Sequence, residues 1–148
     1  MTFSLPAILA IGLFLGGDKP NDATKKEIEK LQGTWAVQTV EFDGEKLTEK
    51  FITEIKLVVA GDKITVNGNF PEKERYGKFT WKIDPTTMPK VIDLSLSGEE
   101  KNVLEGIYQL EKDNWKICLK LNPRNRPDKF ATQQGSDTVL VNLKREKS

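Results

Sequence analysis

Histidine is absent from the 148 residues. No Ser-His-Asp triad, Cys-His dyad or histidine-based zinc site can be built within such a chain. A single cysteine, Cys118, excludes an internal disulfide and any multi-cysteine metal site. No metal or cofactor is therefore expected. Charge of one sign is not in excess, with 23 Lys and Arg against 22 Asp and Glu. A nucleic-acid-binding domain carries a basic surplus, so nucleic acid is not an expected partner. Nor is there an apolar run of the ~20 residues that a transmembrane helix needs. What is present is one domain's worth of chain, 37% hydrophobic and 30% charged, enough to bury a core and stay in solution.

Phe3 to Leu15 form an almost wholly apolar stretch without a charge, followed by Gly16, Gly17 and Asp18. This is the h-region and small-residue exit of a secretory signal peptide. The sequence thus predicts a signal peptide over 1–17 and one domain over 18–148, secreted or periplasmic. No stable membrane insertion is expected once the signal is removed; the alternative is an uncleaved anchor or a mis-called start.

Ala23 to Leu31 reads as a short helix, with Thr24 as N-cap and Glu27 at the capping-box spacing. From Thr34 the hydrophobic period becomes two. Strand candidates follow at Trp35–Phe42, Thr53–Ala60, Lys63–Asn67, Tyr76–Ile83, Lys90–Ser97, Val103–Leu110, Trp115–Leu121 and Thr138–Arg145. A helical turn fits Lys46–Phe51. Short turns such as Gly61-Asp62 join most strands, and no long helix separates them, which excludes parallel βαβ units. The expected fold is all-β: an eight-stranded antiparallel up-and-down barrel with a short N-terminal helix. Closure removes the adhesive edges. A barrel of eight strands is either filled by side chains or holds one small ligand.

Gly33-Thr34-Trp35 directly after the helix resembles the Gly-x-Trp opening of lipocalin-type barrels. In that family an Arg from the last strand covers the indole at the closed end. Here Arg145 is in phase with Val139, Val141 and Leu143, so Trp35 and Arg145 are the candidate barrel closure, joined by a cation–π contact. A wider set extends over nearly all of the domain: Leu31-x-Gly33-x-Trp35, Asp84-Pro85, Pro89-x-x-Ile92-Asp93, Gly106-Ile107-Tyr108, Cys118, Arg126-Pro127-x-x-Phe130 and Leu143-x-Arg145. Together they are similar to an uncharacterised lipocalin-like domain family abundant in planctomycete bacteria. The resemblance implies export and assigns no activity. Lipocalins carry hydrophobic small molecules, which at the level of fold suggests the same role here.

Phe79, Trp81, Tyr108 and Trp115 are candidate ligand-binding walls, with the Tyr108 hydroxyl as polar anchor; the same aromatics could simply fill the barrel. For Tyr108 the strand phase is open, because Val103, Glu105 and Ile107 compete for that face. The longest irregular stretch, Asn122–Asp137, carries Arg124, Arg126 and Lys129. It reads either as a gate over one barrel mouth, with the two arginines binding the ligand, or as a packed loop. In the packed loop Arg126 pairs with Asp93 and Phe130 tucks into the core. Cys118 points away from Trp115, Ile117 and Leu119 and is expected to pack under a loop, with an intermolecular disulfide as the alternative. No catalytic residue is assigned: nothing in the spacing of Glu41, Asp93 and Glu105 brings these carboxylates together for acid–base work. The expected function is non-catalytic binding of a small, partly apolar molecule. The alternative is a filled barrel that contacts another protein of the cell envelope.

Overall fold

The computed structural model describes residues 22–146 except 53, 71–72, 97–98 and 122–125. The signal segment and Arg124 lie outside the described residues. Along the chain run α1 (Asp22–Leu31), β1 (Gly33–Phe42), β2 (Glu45–Lys46), α2 (Glu49–Ile52), β3 (Lys56–Ala60) and β4 (Lys63–Asn67). They are followed by α3 (Lys73–Tyr76), β5 (Lys78–Asp84), β6 (Lys90–Leu96), β7 (Glu99–Glu111), β8 (Asn114–Lys120) and β9 (Thr138–Arg145).

The strands form one antiparallel sheet in the order β2-β1-β3-β4-β5-β6-β7-β8-β9, and β1 also pairs with β9. That last pairing closes an eight-stranded barrel, as the alternation predicts. The extra strand, β2, is a two-residue arm folded back on the end of β1 through Asp43-Gly44 (Phe42 pairs with Glu45). It has no hydrophobic beat, and sequence periodicity passes over it.

The two-residue period aims one face of every strand inward. Trp35 and Val37, Ile64, Phe79 and Trp81, Ile92, Leu94 and Leu96, Trp115, Ile117 and Leu143 form a continuous buried core. β1 carries a bulge between Val37 and Thr39 against β9. The extra residue moves the inward phase from Trp35 and Val37 to Val40, which pairs with Val141.

Helix α1 lies across one end of this barrel. Leu31 is fully buried there and Ile28 packs beside it. Thr24 is not the N-cap: the helix already includes Asp22, and Thr24 is buried within it. Glu27 turns its Oε2 to Tyr108 and Lys90. The helical turn after β1 begins at Glu49 rather than Lys46, and β3 begins at Lys56 rather than Thr53.

Candidate functional site

The barrel interior has two unlike halves. In the half under α1 the inward side chains are almost fully buried. Trp35 and Trp115 meet edge to face, with ring centroids 5.2 Å apart and planes at 61°. Arg145, in register with Trp35 across the β1–β9 seam, sets its guanidinium 4.3 Å from the Trp35 ring centroid. The guanidinium donates to the carbonyl oxygens of Gln32 (2.8 Å) and Lys30 and lies 3.4 Å from the Asp113 carboxylate. The Trp35 indole N–H donates to the Leu31 carbonyl at 3.0 Å. The charge is thus sandwiched between a π face and the C-terminal carbonyls of α1, where a cation is favoured.

Gly33 fits the same junction. Its φ is +120°, and a Cβ there would stand 3.3 Å from Arg145 Nη1. Only glycine takes this backbone without strain, which gives the Gly-x-Trp signature its physical meaning.

Tyr108 settles its phase inward. Leu104 and Tyr108 face the core, while Glu105 and Ile107 face out. The Tyr108 hydroxyl donates to Glu27 Oε2 at 3.0 Å, and Lys90 Nζ donates to the same oxygen at 2.7 Å. Burial, the charge of Glu27 and the hydrogen bond to it all push the phenol well above its ordinary range. This hydroxyl ties the helix to the barrel. Trp81 is similarly engaged, its indole N–H donating to the Gly61 carbonyl at 2.9 Å. Three of the four aromatic candidates, Trp81, Tyr108 and Trp115, therefore pack with Trp35 toward the capped end. Phe79, paired with Ile64 and Leu96, stands nearer the opposite end.

The other half is looser. Val40, Leu57, Val66, Val139 and Val141 all point inward by register yet are only half-buried. A side chain that points into a closed barrel is reached by solvent only from within or through a mouth. The accessible wall of this half is apolar. Around its rim Phe42, Leu47 and Leu121 are exposed. Sequence reasoning passed over this wall because valines in phase look the same whether they meet packed neighbours or open space.

Of the long loop, the residues next to Arg126 run along the outside of the barrel. Its described part, 126–137, straps the outer wall. Arg126 Nη2 lies 2.9 Å from Asp93 Oδ1 and 3.8 Å from Glu105 Oε1, and Nη1 donates to the Gly106 carbonyl at 2.8 Å. Arg126 is thereby corrected from gate residue to wall clamp, as the packed-loop alternative has it. Asp93 and Glu105, whose spacing gave no reason to meet, are direct cross-strand partners that share Arg126. Glu41 is elsewhere, accepting from Thr132 Oγ1 at 2.6 Å.

Phe130 is corrected as well. It lies outside the core, half-buried, with Lys116 Nζ 5.7 Å from its ring centroid. Beneath the strap Ile107, Cys118 and the half-buried Leu140 form an outward apolar row. Cys118 is fully buried, its Sγ near the carbonyls of Lys129 (3.5 Å) and Ala131 (3.8 Å), and burial pushes its thiol pKa up. Two faces of one sheet apolar at the same strand positions are the sequence signal of a covered outer wall. That signal was present in Ile107 and Cys118.

Among the described residues no cluster of His, Cys, Asp and Glu is arranged to hold a metal ion, and no helix is long and apolar enough to cross a membrane.

No family model matches the chain, and no curated protein does. Among solved structures it is similar to a mutant of the fluorescent protein UnaG. That match has a TM-score of 0.40 and 14% sequence identity, over 82% of this chain and 99% of the other.

Proposed function

We propose that this protein is an exported, non-catalytic lipocalin-like domain that binds one small, partly apolar molecule in the uncapped half of its barrel. The observation that carries this reading is the inward apolar wall of Val40, Leu57, Val66, Val139 and Val141, which its own neighbours leave half-covered. Apolar walls with few polar groups are what small-molecule sites are made of. Phe79 belongs to the deeper side of that wall. Trp81 and Tyr108 support it from the floor, and Arg126 takes no part.

Nile red titration tests binding. The folded protein should raise the dye's emission, and small apolar compounds should displace it. A native protein that leaves the dye unchanged would refute the reading. Native mass spectrometry of protein from its own host would then identify the occupant. Export rests on the Phe3–Leu15 run and its Gly16-Gly17 exit. Sequencing of the mature N-terminus should begin at Asp18, and an intact Met1 would overturn it.

A second reading has one observation of its own. Phe42, Leu47 and Leu121 expose apolar surface on the same rim, which suits contact with an envelope protein. A co-purifying protein released by the triple exchange of these residues to serine would favour it.

A further inference from the structure

Three tryptophans lie in this barrel, and two of their indole N–H groups are engaged. Trp35 donates to Leu31 and Trp81 to Gly61. Trp115 is 1% exposed, and its Nε1 has no hydrogen-bond partner among the described residues. A buried donor without an acceptor is destabilising, and native proteins rarely keep one without cause.

The position of Trp115 matters more than its isolation. On β8 and β9 the inward pairs run Trp115 with Leu143, then Ile117 with Val141, then Leu119 with Val139. Val141, diagonal to Trp115 across this pair, is half-buried. Trp115 thus stands at the inner side of the packed half, one inward pair away from Val141. Among the described residues, the inward charges near it are both engaged. Arg145, the inward guanidinium, is occupied by Trp35, by the carbonyls of Lys30 and Gln32 and by Asp113. Lys90 is held by Glu27.

Building on the binding function proposed above, we infer that the barrel takes its ligand with an uncharged hydrogen-bond acceptor leading, a ketone, ester or ether oxygen, and that this oxygen accepts from Trp115 Nε1. The apolar body behind it lies along Val141, Val139 and Val40 toward the rim. A slight turn of the indole past Ile117 completes the contact. An ionised carboxylate is excluded from the same place, because it would be buried with no cation to offset it. A charged group on the ligand stays at the mouth.

The two engaged indoles provide an internal control. In ¹⁵N–¹H spectra of the purified protein, the three indole N–H signals are followed during titration with cyclohexane, cyclohexanone and cyclohexanecarboxylate. The Trp115 signal should move downfield with the ketone alone, while those of Trp35 and Trp81 hold still. Trp115→Phe keeps a ring and deletes the donor. Its preference for ketone over hydrocarbon should fall about fivefold, the worth of one neutral hydrogen bond.

If cyclohexane and cyclohexanone both perturb the valine methyls of the wall but the Trp115 N–H does not respond, the binding reading stands and this inference falls. The N–H then belongs to the Trp35 ring. A shift with carboxylate equal to that with ketone overturns the requirement for an uncharged group. If no probe perturbs the wall at all, both proposals fail together.

Discussion

Arg145 and Trp35 are partners twice over: they face each other in the β1–β9 register, and the guanidinium covers the indole 4.3 Å from its centroid. The first strand of the barrel and the last meet through this pair. Arg145→Ala removes the cation and leaves the carbonyls of Lys30 and Gln32 without their donor. We expect a loss of about 1–3 kcal/mol in urea unfolding, the sum of one partly exposed cation–π contact and two hydrogen bonds from a charged donor. Arg145→Lys keeps the charge but not the planar fork, and should cost roughly 1–2 kcal/mol. Equal stability of wild type and Arg145→Ala would show that the seam is held elsewhere.

Tyr108 makes stability depend on alkaline pH. Its ordinary value is 10.0, and in the folded protein it is raised, first by burial and then by Glu27. Above pH 10 the unfolded chain gives up this proton while the native state keeps it. The stabilisation is therefore complete below pH 10 and declines as pH rises beyond it. Tyrosinate absorbance should show one of the two tyrosines ionising only together with unfolding. Tyr108→Phe should remove that coupled step.

The strap on the outer wall depends on one guanidinium. Arg126→Ala leaves Asp93 and Glu105 directly opposed across β6 and β7, and like charges so placed repel. A loss of about 1–2 kcal/mol is expected, with Asp93→Asn in the same chain restoring part of it. Hydrogen exchange over 126–137 should quicken. Nile red binding should stay as in wild type, since Arg126 does not reach the interior.

Cys118 reports on the same strap. Buried, and with its thiol pKa raised, it should resist Ellman's reagent at pH 8 in the native protein and react at once in denaturant. In Arg126→Ala it should react at an intermediate rate. Immediate reaction of the wild type would place the thiol at the surface and return an intermolecular disulfide to consideration.

Gly106 tests the packing of the wall itself. A Cβ there would stand 2.5 Å from the Cys118 carbonyl oxygen and 2.5 Å from Leu119 Cδ2. The oxygen belongs to the backbone and cannot turn aside. Gly106→Ala should cost roughly 1–3 kcal/mol by overpacking, seen as a lower urea midpoint with an unchanged slope.

Most of the barrel was legible because alternation is a direct consequence of the pleat, and every long strand has one core face. Ile92, Leu94 and Leu96 could be read no other way. The Trp35–Arg145 closure was legible through the resemblance of Gly33-Thr34-Trp35 to the opening of lipocalin-type barrels, with Arg145 in phase on the last strand. Tyr108 was not, since Ile107 beside it is equally apolar and only the covered outer wall explains why. Glu27 was misread for a similar reason. A Glu three residues after a Thr signals a cap locally, yet its Oε2 accepts from a tyrosine 81 residues away. The destination of the 122–137 loop was illegible because its anchor, the Asp93–Glu105 pair, is made by register, and register is invisible to spacing.

Strand β9 lies between β8 and β1, so the barrel's two oldest and newest edges wait for the same eight residues. A nascent chain halted before Thr138 would hold an open, curled sheet with two unsatisfied borders, ready to recruit strands from its neighbours. Synthesis must therefore complete the whole polypeptide before it can become inert toward other copies, and truncation products are expected to aggregate rather than fold in part.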